Sequence, residues 1–313
     1  MKKYSFLFIL LIISYSATAQ SRMNIAGFPQ FNQYLNPALT GYDGTSVQGF
    51  YRNQLTTFDK APQTFLISGE INLSNPSQEA SIGQVNHSLG LATVYEDFGA
   101  TTTSGLNLSY AASVKITKAL NFRAGLAVTY DNVKTKTETL TPGEMNDPAY
   151  QALKNNNTLN KYGLNAGIAV ASENFYAGYA AYDAVKQGNG NEAYFNDTYV
   201  LQHAVQAGYR HPFTNGFGLV ANGRYRYDEY QKGVGEGQLK AVFMNTAWLG
   251  GGYRQDIGTI LTAGVRVGQF KIGYSRELNT HRVIGERMGA NEIVLSYHFA
   301  PIVQKAGKQL SIW

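Results

Sequence analysis

Apolar and polar positions alternate with a period of two through most of the chain, which predicts β-strands. Across 105–116, Leu106, Leu108, Tyr110, Ala112, Val114 and Ile116 share one face, and Gly105, Asn107, Ser109, Ala111, Ser113 and Lys115 the other. Across 122–131, Phe122, Leu126, Val128 and Tyr130 oppose Arg123, Gly125, Thr129 and Asp131. Segments 161–170, 217–227 and 292–299 divide in the same way. Fourteen strands are predicted, near 45–57, 63–73, 87–97, 101–116, 120–134, 161–172, 174–183, 197–210, 217–229, 237–245, 247–255, 258–268, 270–277 and 290–300.

A soluble sandwich would show the same period. Three further features favour a transmembrane antiparallel β-barrel of about 14 strands. Aromatic residues recur near the ends of the apolar faces, as in an interfacial girdle: Tyr110, Phe122, Tyr130, Tyr162, Phe217, Tyr225, Tyr227, Tyr297 and Phe299. The opposite faces are rich in Gly, Ser, Asn and Arg, as a crowded polar lumen requires. The connections alternate in length. Even-to-odd ones are mostly tight, 74–86 excepted, whereas the long ones, 135–160, 184–196, 230–236 and 278–289, are odd-to-even. Short periplasmic turns and longer outer loops are the pattern of bacterial barrels.

The first residues supply an address. Lys2 and Lys3 precede an apolar stretch from Tyr4 to Ile13, and Ala17-Thr18-Ala19 reads as a cleavage site before Gln20. Residues 1–19 are therefore expected to be a signal peptide. The remaining organisation is expected to be a plug or lid at the periplasmic mouth over 20–44, a barrel over 45–300 and a periplasmic or lumen-returning tail over 301–313. Beyond the leader no apolar run is long enough to span a bilayer as a helix.

Composition sharpens the exclusions. The chain of 313 residues has no Cys, which rules out disulfides and Cys-ligated metals. Only 15% of residues are charged, and the net charge of +5 is spread without a Lys/Arg block, so nucleic acid is not an expected partner.

The segment Gly27-Phe28-Pro29-Gln30-Phe31-Asn32-Gln33-Tyr34-Leu35-Asn36-Pro37-Ala38-Leu39-Thr40-Gly41 resembles the opening of the PorP/SprF family of type IX secretion membrane proteins from Bacteroidetes. Further matches follow in order: Tyr51-Arg52-Asn53-Gln54, Ala61-Pro62-Gln63-Thr64 with Ser68, Trp248 to Arg254, Lys271-Ile272-Gly273-Tyr274-Ser275 and Asn291-Glu292-Ile293. Leu55 replaces a frequent Trp, and Asn291 a frequent His. The resemblance implies a non-enzymatic barrel in outer-membrane lipid. Its implied partner is a large secreted surface protein, such as a gliding adhesin, engaged through a type B C-terminal domain. Periplasmic ring or peptidoglycan-binding components are also implied.

Several residues are candidates for partner contact. Lys115, Arg123, Lys161, Arg210, Arg224, Arg226, Arg254, Arg266 and Lys271 are assigned to the inward face, against fewer acids: Asp131, Glu292 and Glu70. Such a lumen is either self-paired or a receptor for an acidic segment of a partner, which Arg would grip with its forked donors. Arg282 and Arg287 fall in a predicted outer loop, where recognition commonly resides. Segment 20–44 is either structural or itself a contact surface.

Catalysis finds little support. The five His lack metal-binding spacing. Ser275 follows Gly273 in a G-x-S triplet whose fifth position is Glu277 rather than Gly. No cofactor is expected. The rival expectation is an outer-membrane channel or transporter of hydrophobic substrates, gated by 20–44.

Overall fold

The computed structural model describes residues 25–54, 61–74, 81–140, 147–190, 200–213, 216–228, 233–283, 286–299 and 312. The predicted leader lies outside these residues, as does the tail apart from Ile312.

Fourteen antiparallel strands close into a barrel in which each pairs with its neighbours in sequence and β1 pairs with β14. They are β1 Ser46–Gln54, β2 Gln63–Asn72, β3 Val85–Phe98, β4 Thr101–Lys115, β5 Asn121–Thr135, β6 Thr158–Ala171, β7 Phe175–Gly190, β8 Gln202–Pro212, β9 Phe217–Asp228, β10 Val234–Phe243, β11 Ala247–Arg254, β12 Gly258–Val267, β13 Phe270–Val283 and β14 Glu286–His298. Closure leaves no sheet edge, so every strand finds a backbone partner within the chain. Lipid, which offers no hydrogen bonds, demands this.

The two faces sort as the period predicts. Leu106, Leu108, Leu126, Val128, Leu239, Leu249, Leu261, Ile293 and Leu295 stand exposed on the outer surface. Their neighbours Asn107, Ser109, Arg123, Thr129, Gln238, Lys240 and Glu292 are buried in the lumen. Exposed aromatics bracket the apolar band on single strands, as Phe217 and Tyr225 do on β9. Eight residues of tilted strand separate that pair by roughly 20 Å along the barrel axis, close to the height of an outer-membrane band.

β1 begins and β14 ends at the same rim, called here the turn end. Connections there include Thr246 between β10 and β11 and the Gly268–Gln269 pair between β12 and β13. The opposite rim, the loop end, carries 136–157 between β5 and β6, with a helix over Pro148–Asn155.

Three predicted loops need correction. The stretch 184–196 begins as strand, because β7 runs on to Gly190 paired with β6. Most of 278–289 is likewise the end of β13 and the start of β14, which meet across a bulge between Leu278 and Arg282. Strand β10 also starts at Val234, inside the predicted 230–236 connection. These extensions rise past the apolar band, so water meets both faces and no alternation marks them: Ala184, Val185, Lys186 and Gln187 are all exposed. The loop end accordingly mixes long connections with tight ones, such as Gly99–Ala100.

Candidate functional site

The lumen is occupied. Residues 25–44 run inside the barrel from its loop-side half to the turn end; most are buried and none is exposed. The segment folds as three short helical pieces, Phe28–Gln30, Asn32–Leu35 and Pro37–Leu39. Prolines at the first or second position of the outer two suit helix starts, where a missing N–H costs nothing. Asn36 caps the third piece by accepting from the Ala38 N–H at 3.0 Å. The segment therefore reaches well above the periplasmic mouth, where the sequence places it as a lid.

Apolar side chains make one anchor. Ile25, Phe28, Phe31 and Leu35 pack with Phe50, Leu66, Val94 and Val294 of the wall. Phe31 meets Phe50 edge to face at 5.6 Å. Lower down, Ala38 and Leu39 pack with Tyr176, Val220, Val242, Trp248 and the returning Ile312. Trp248 lies across Gly264, where any Cβ would strike its ring, and close to Gly273, where a Cβ would sit 3.2 Å from it.

A glycine shelf makes the second anchor. A Cβ at Gly125 would collide with the Pro37 carbonyl and the Ala38 nitrogen; at Gly167 it would meet Asn36 Oδ1, and at Gly178 Asn36 Nδ2. The Asn-Pro-Ala turn thus lies directly against the backbone of β5, β6 and β7. Asn36 Nδ2 donates across the shelf to the Tyr179 carbonyl at 3.3 Å. Gly41 closes the segment with φ +68, a left-handed conformation that favours glycine, and its N–H donates to Glu70 Oε2 at 2.6 Å.

Charge makes the third. In the loop-side half a chain of buried ions runs from Arg224 to Glu236, Arg254, Glu277, Arg52 and Glu292. Glu236 accepts from Arg224 at 3.2 Å and from Arg254 at 2.9 Å. Glu277 accepts from Arg254 at 2.5 Å and from Arg52 at 2.9 Å. Arg52 also pairs with Glu292. Along this chain three arginines match three carboxylates, as burial demands, with buried Arg226 beside them as a fourth cation. The cluster also grips the segment. Glu292 accepts the N–H groups of Ala26 at 2.7 Å and Gly27 at 2.9 Å. Arg254 donates to the Ile25 carbonyl at 2.8 Å, and Gln238 to that of Ala26. The Arg224 guanidinium lies 4.9 Å from the centre of the Phe28 ring.

The other sequence candidates fall around this frame. Arg123 donates to the carbonyls of Ala38 at 2.7 Å and Thr40 at 2.6 Å. Arg210 bonds the Glu173 carbonyl at 2.8 Å and faces Asp43, which Lys271 also approaches at 3.7 Å. Arg226 is buried within electrostatic reach of Arg224, Arg254 and Glu236. Lys161 pairs with Asp183 at 2.7 Å and lies 3.7 Å from Asp131. Arg266 is half-buried at the turn end of β12, beside Lys271 in register. Register places Arg282 opposite Arg287, whose side chains lie outside the described residues. Half-buried Tyr42 donates to the Ser172 carbonyl at 2.7 Å, and desolvation of its hydroxyl holds it well above the ordinary tyrosine range.

The expectation of a basic lumen short of acids is thereby corrected. Glu236, Glu277 and Asp183 also point inward; Arg52, Arg224 and Arg254 pair with the two glutamates, Lys161 with Asp183, and Arg123 and Arg254 donate to segment carbonyls. Of the family-motif residues, Gln30 sits near Gly273 in the floor of a cavity of about 30 Å³ that also touches Asn32, Glu70, Lys271 and His298. That volume holds one or two waters. Pro29 opens the first helical piece, Gln33 donates to the Gly69 carbonyl at 3.5 Å and Tyr34 flanks the apolar anchor. Pro62 accepts from the Gln54 N–H at 2.9 Å. Tyr274 stands apart, pointing outward and bonding Asn291 at 2.7 Å. Among the described residues no group of His, Asp and Glu is arranged to hold a metal ion.

The family model for the type IX secretion system membrane protein PorP/SprF matches residues 17–297. Solved outer-membrane barrels are similar at low identity. The P. putida toluene transporter TodX gives a TM-score of 0.47 and 9% identity, over 84% of this chain and 92% of that one. The Acinetobacter baumannii outer membrane protein Omp33 gives 0.47 and 10%, over 82% and 97%. The Ralstonia pickettii toluene transporter TbuX gives 0.48 and 11%, over 86% and 93%. No curated protein matches the chain significantly.

Proposed function

Because this chain belongs to the type IX secretion system membrane protein PorP/SprF family and is an integral outer-membrane barrel, we propose that it binds a large secreted surface protein through that protein's C-terminal domain. It would retain the protein at the cell surface or assist its export. Its mechanism is binding without turnover. The turn end, on the periplasmic side, is the natural contact for ring or peptidoglycan-binding components of the secretion machinery.

The observation that carries this reading is the filled lumen. Over its described length the segment 25–44 is packed against both halves of the wall and bonded to buried charge. A diffusion channel needs a continuous aqueous path, and a barrel that commits buried charge and apolar wall to holding a segment of itself is built as a platform. Recognition then falls to the loop end, where strands rise beyond the apolar band.

The test is co-purification. The tagged barrel is drawn from native outer membrane in mild detergent, and its companions are identified by mass spectrometry. A high-mass secreted protein at near-equal stoichiometry, captured through its C-terminal domain, is expected. A barrel without companions that conducts ions in planar bilayers would replace this reading with a channel.

A further inference from the structure

The loop-side grip on residues 25–27 is almost entirely a grip on main chain. One carboxylate, Glu292, accepts two successive N–H groups, and Arg254 and Gln238 take the carbonyls of Ile25 and Ala26. The only large side chain in the triplet is Ile25, fully buried in the apolar cluster, while Ala26 and Gly27 are small. Any polypeptide presenting an aliphatic residue followed by two small ones would satisfy the same donors and acceptors.

Two observations separate this grip from the rest of the plug. First, residues 36–44 have anchors of their own at the turn end: the glycine shelf, Arg123 and Glu70. The triplet can leave without unseating them. Second, the grip has unused capacity. Arg52 Nε, Arg224 Nη1 and Gln238 Oε1 are buried there without a hydrogen-bond partner. A buried polar atom left unpaired is costly, and these three mark a site built for more polar contact than Ile25–Gly27 make.

We propose that this cluster is a main-chain recognition site, which residues 25–27 fill in the free barrel and which a segment of the bound secreted protein takes over from the loop end. The inference rests on the reading under Proposed function and adds where and how the partner is held: by its backbone, since Glu236, Glu277 and Glu292 already pair with Arg52, Arg224 and Arg254.

The absence of native Cys permits a reversible lock. A Cβ at Gly27 would lie 3.4 Å from Val294 Cγ2, so Gly27→Cys with Val294→Cys places two thiols within disulfide reach. The double variant is folded in detergent, its folding is checked by heat-modifiable gel mobility, and capture of the C-terminal domain of the co-purifying secreted protein is measured before and after dithiothreitol. Capture at least roughly tenfold weaker when oxidised, restored on reduction, is expected. Equal capture in both states would overturn the inference while leaving partner binding intact. If neither the variant nor the native barrel captures the domain, the reading beneath falls, and the inference with it.

Discussion

Replacing Glu292 with Gln is the most informative single change. The carboxylate accepts from Ala26, Gly27 and Arg52 at once. An amide offers one acceptor oxygen and turns its N–H₂ towards a donor whichever way it rotates. The substitution also leaves Arg52, Arg224 and Arg254 buried against only Glu236 and Glu277. Removing one partner of a buried pair typically costs about 3–5 kcal/mol, so a loss near 4 kcal/mol is expected. Arg52→Gln in the same chain restores charge balance. The double variant should therefore be about 2–3 kcal/mol more stable than the sum of the two single losses implies. Urea unfolding of the refolded barrel, followed by tryptophan fluorescence and by heat-modifiable mobility, measures all three. A single loss below about 1 kcal/mol, or a coupling below about 0.5 kcal/mol, would mean that water reaches the cluster and that it is no lock.

Other expectations follow from the same anchors. Gly125→Ala should push the Asn-Pro-Ala turn off its shelf at a cost of about 1–3 kcal/mol, leaving the strands paired; limited proteolysis should then cut within 25–44 while the barrel retains its mobility shift. Lys161→Met should cost about 3–5 kcal/mol by removing the cation that faces buried Asp183, and adding Asp183→Asn should recover part of the loss in the same urea titration. Gly273→Val should displace the Trp248 ring, seen as a red shift in emission and easier acrylamide quenching.

The fold was legible because lipid enforces strict alternation. Each residue of a spanning strand faces either hydrocarbon or a crowded polar interior, and all fourteen strands left that trace. Legibility ended where water took over. Lys186-Gln187-Gly188 reads as loop because no apolar face marks it, although it continues β7. The same boundary hid half of the candidate site. Glu236 sits in a Gly-Val-Gly-Glu-Gly run that looks like a turn, yet it opens β10. Glu277 shares inward parity with Lys271 and Ser275, and that parity, carried two residues further, would have found it. The arginines were visible from their faces, as was Glu292, but their main-chain partners were not, because carbonyls of 25–44 carry no sequence signal.

The ion cluster spans the seam between the first and last strands. Arg52 of β1 lies directly opposite Glu292 of β14 in register. These strands are the most distant in sequence, so loop-closure entropy makes their pairing the last to form. The carboxylate that completes this final junction also captures the N–H groups of Ala26 and Gly27. Sealing of the cylinder and seating of its N-terminal segment thus draw on the same carboxylate, so each favours the other.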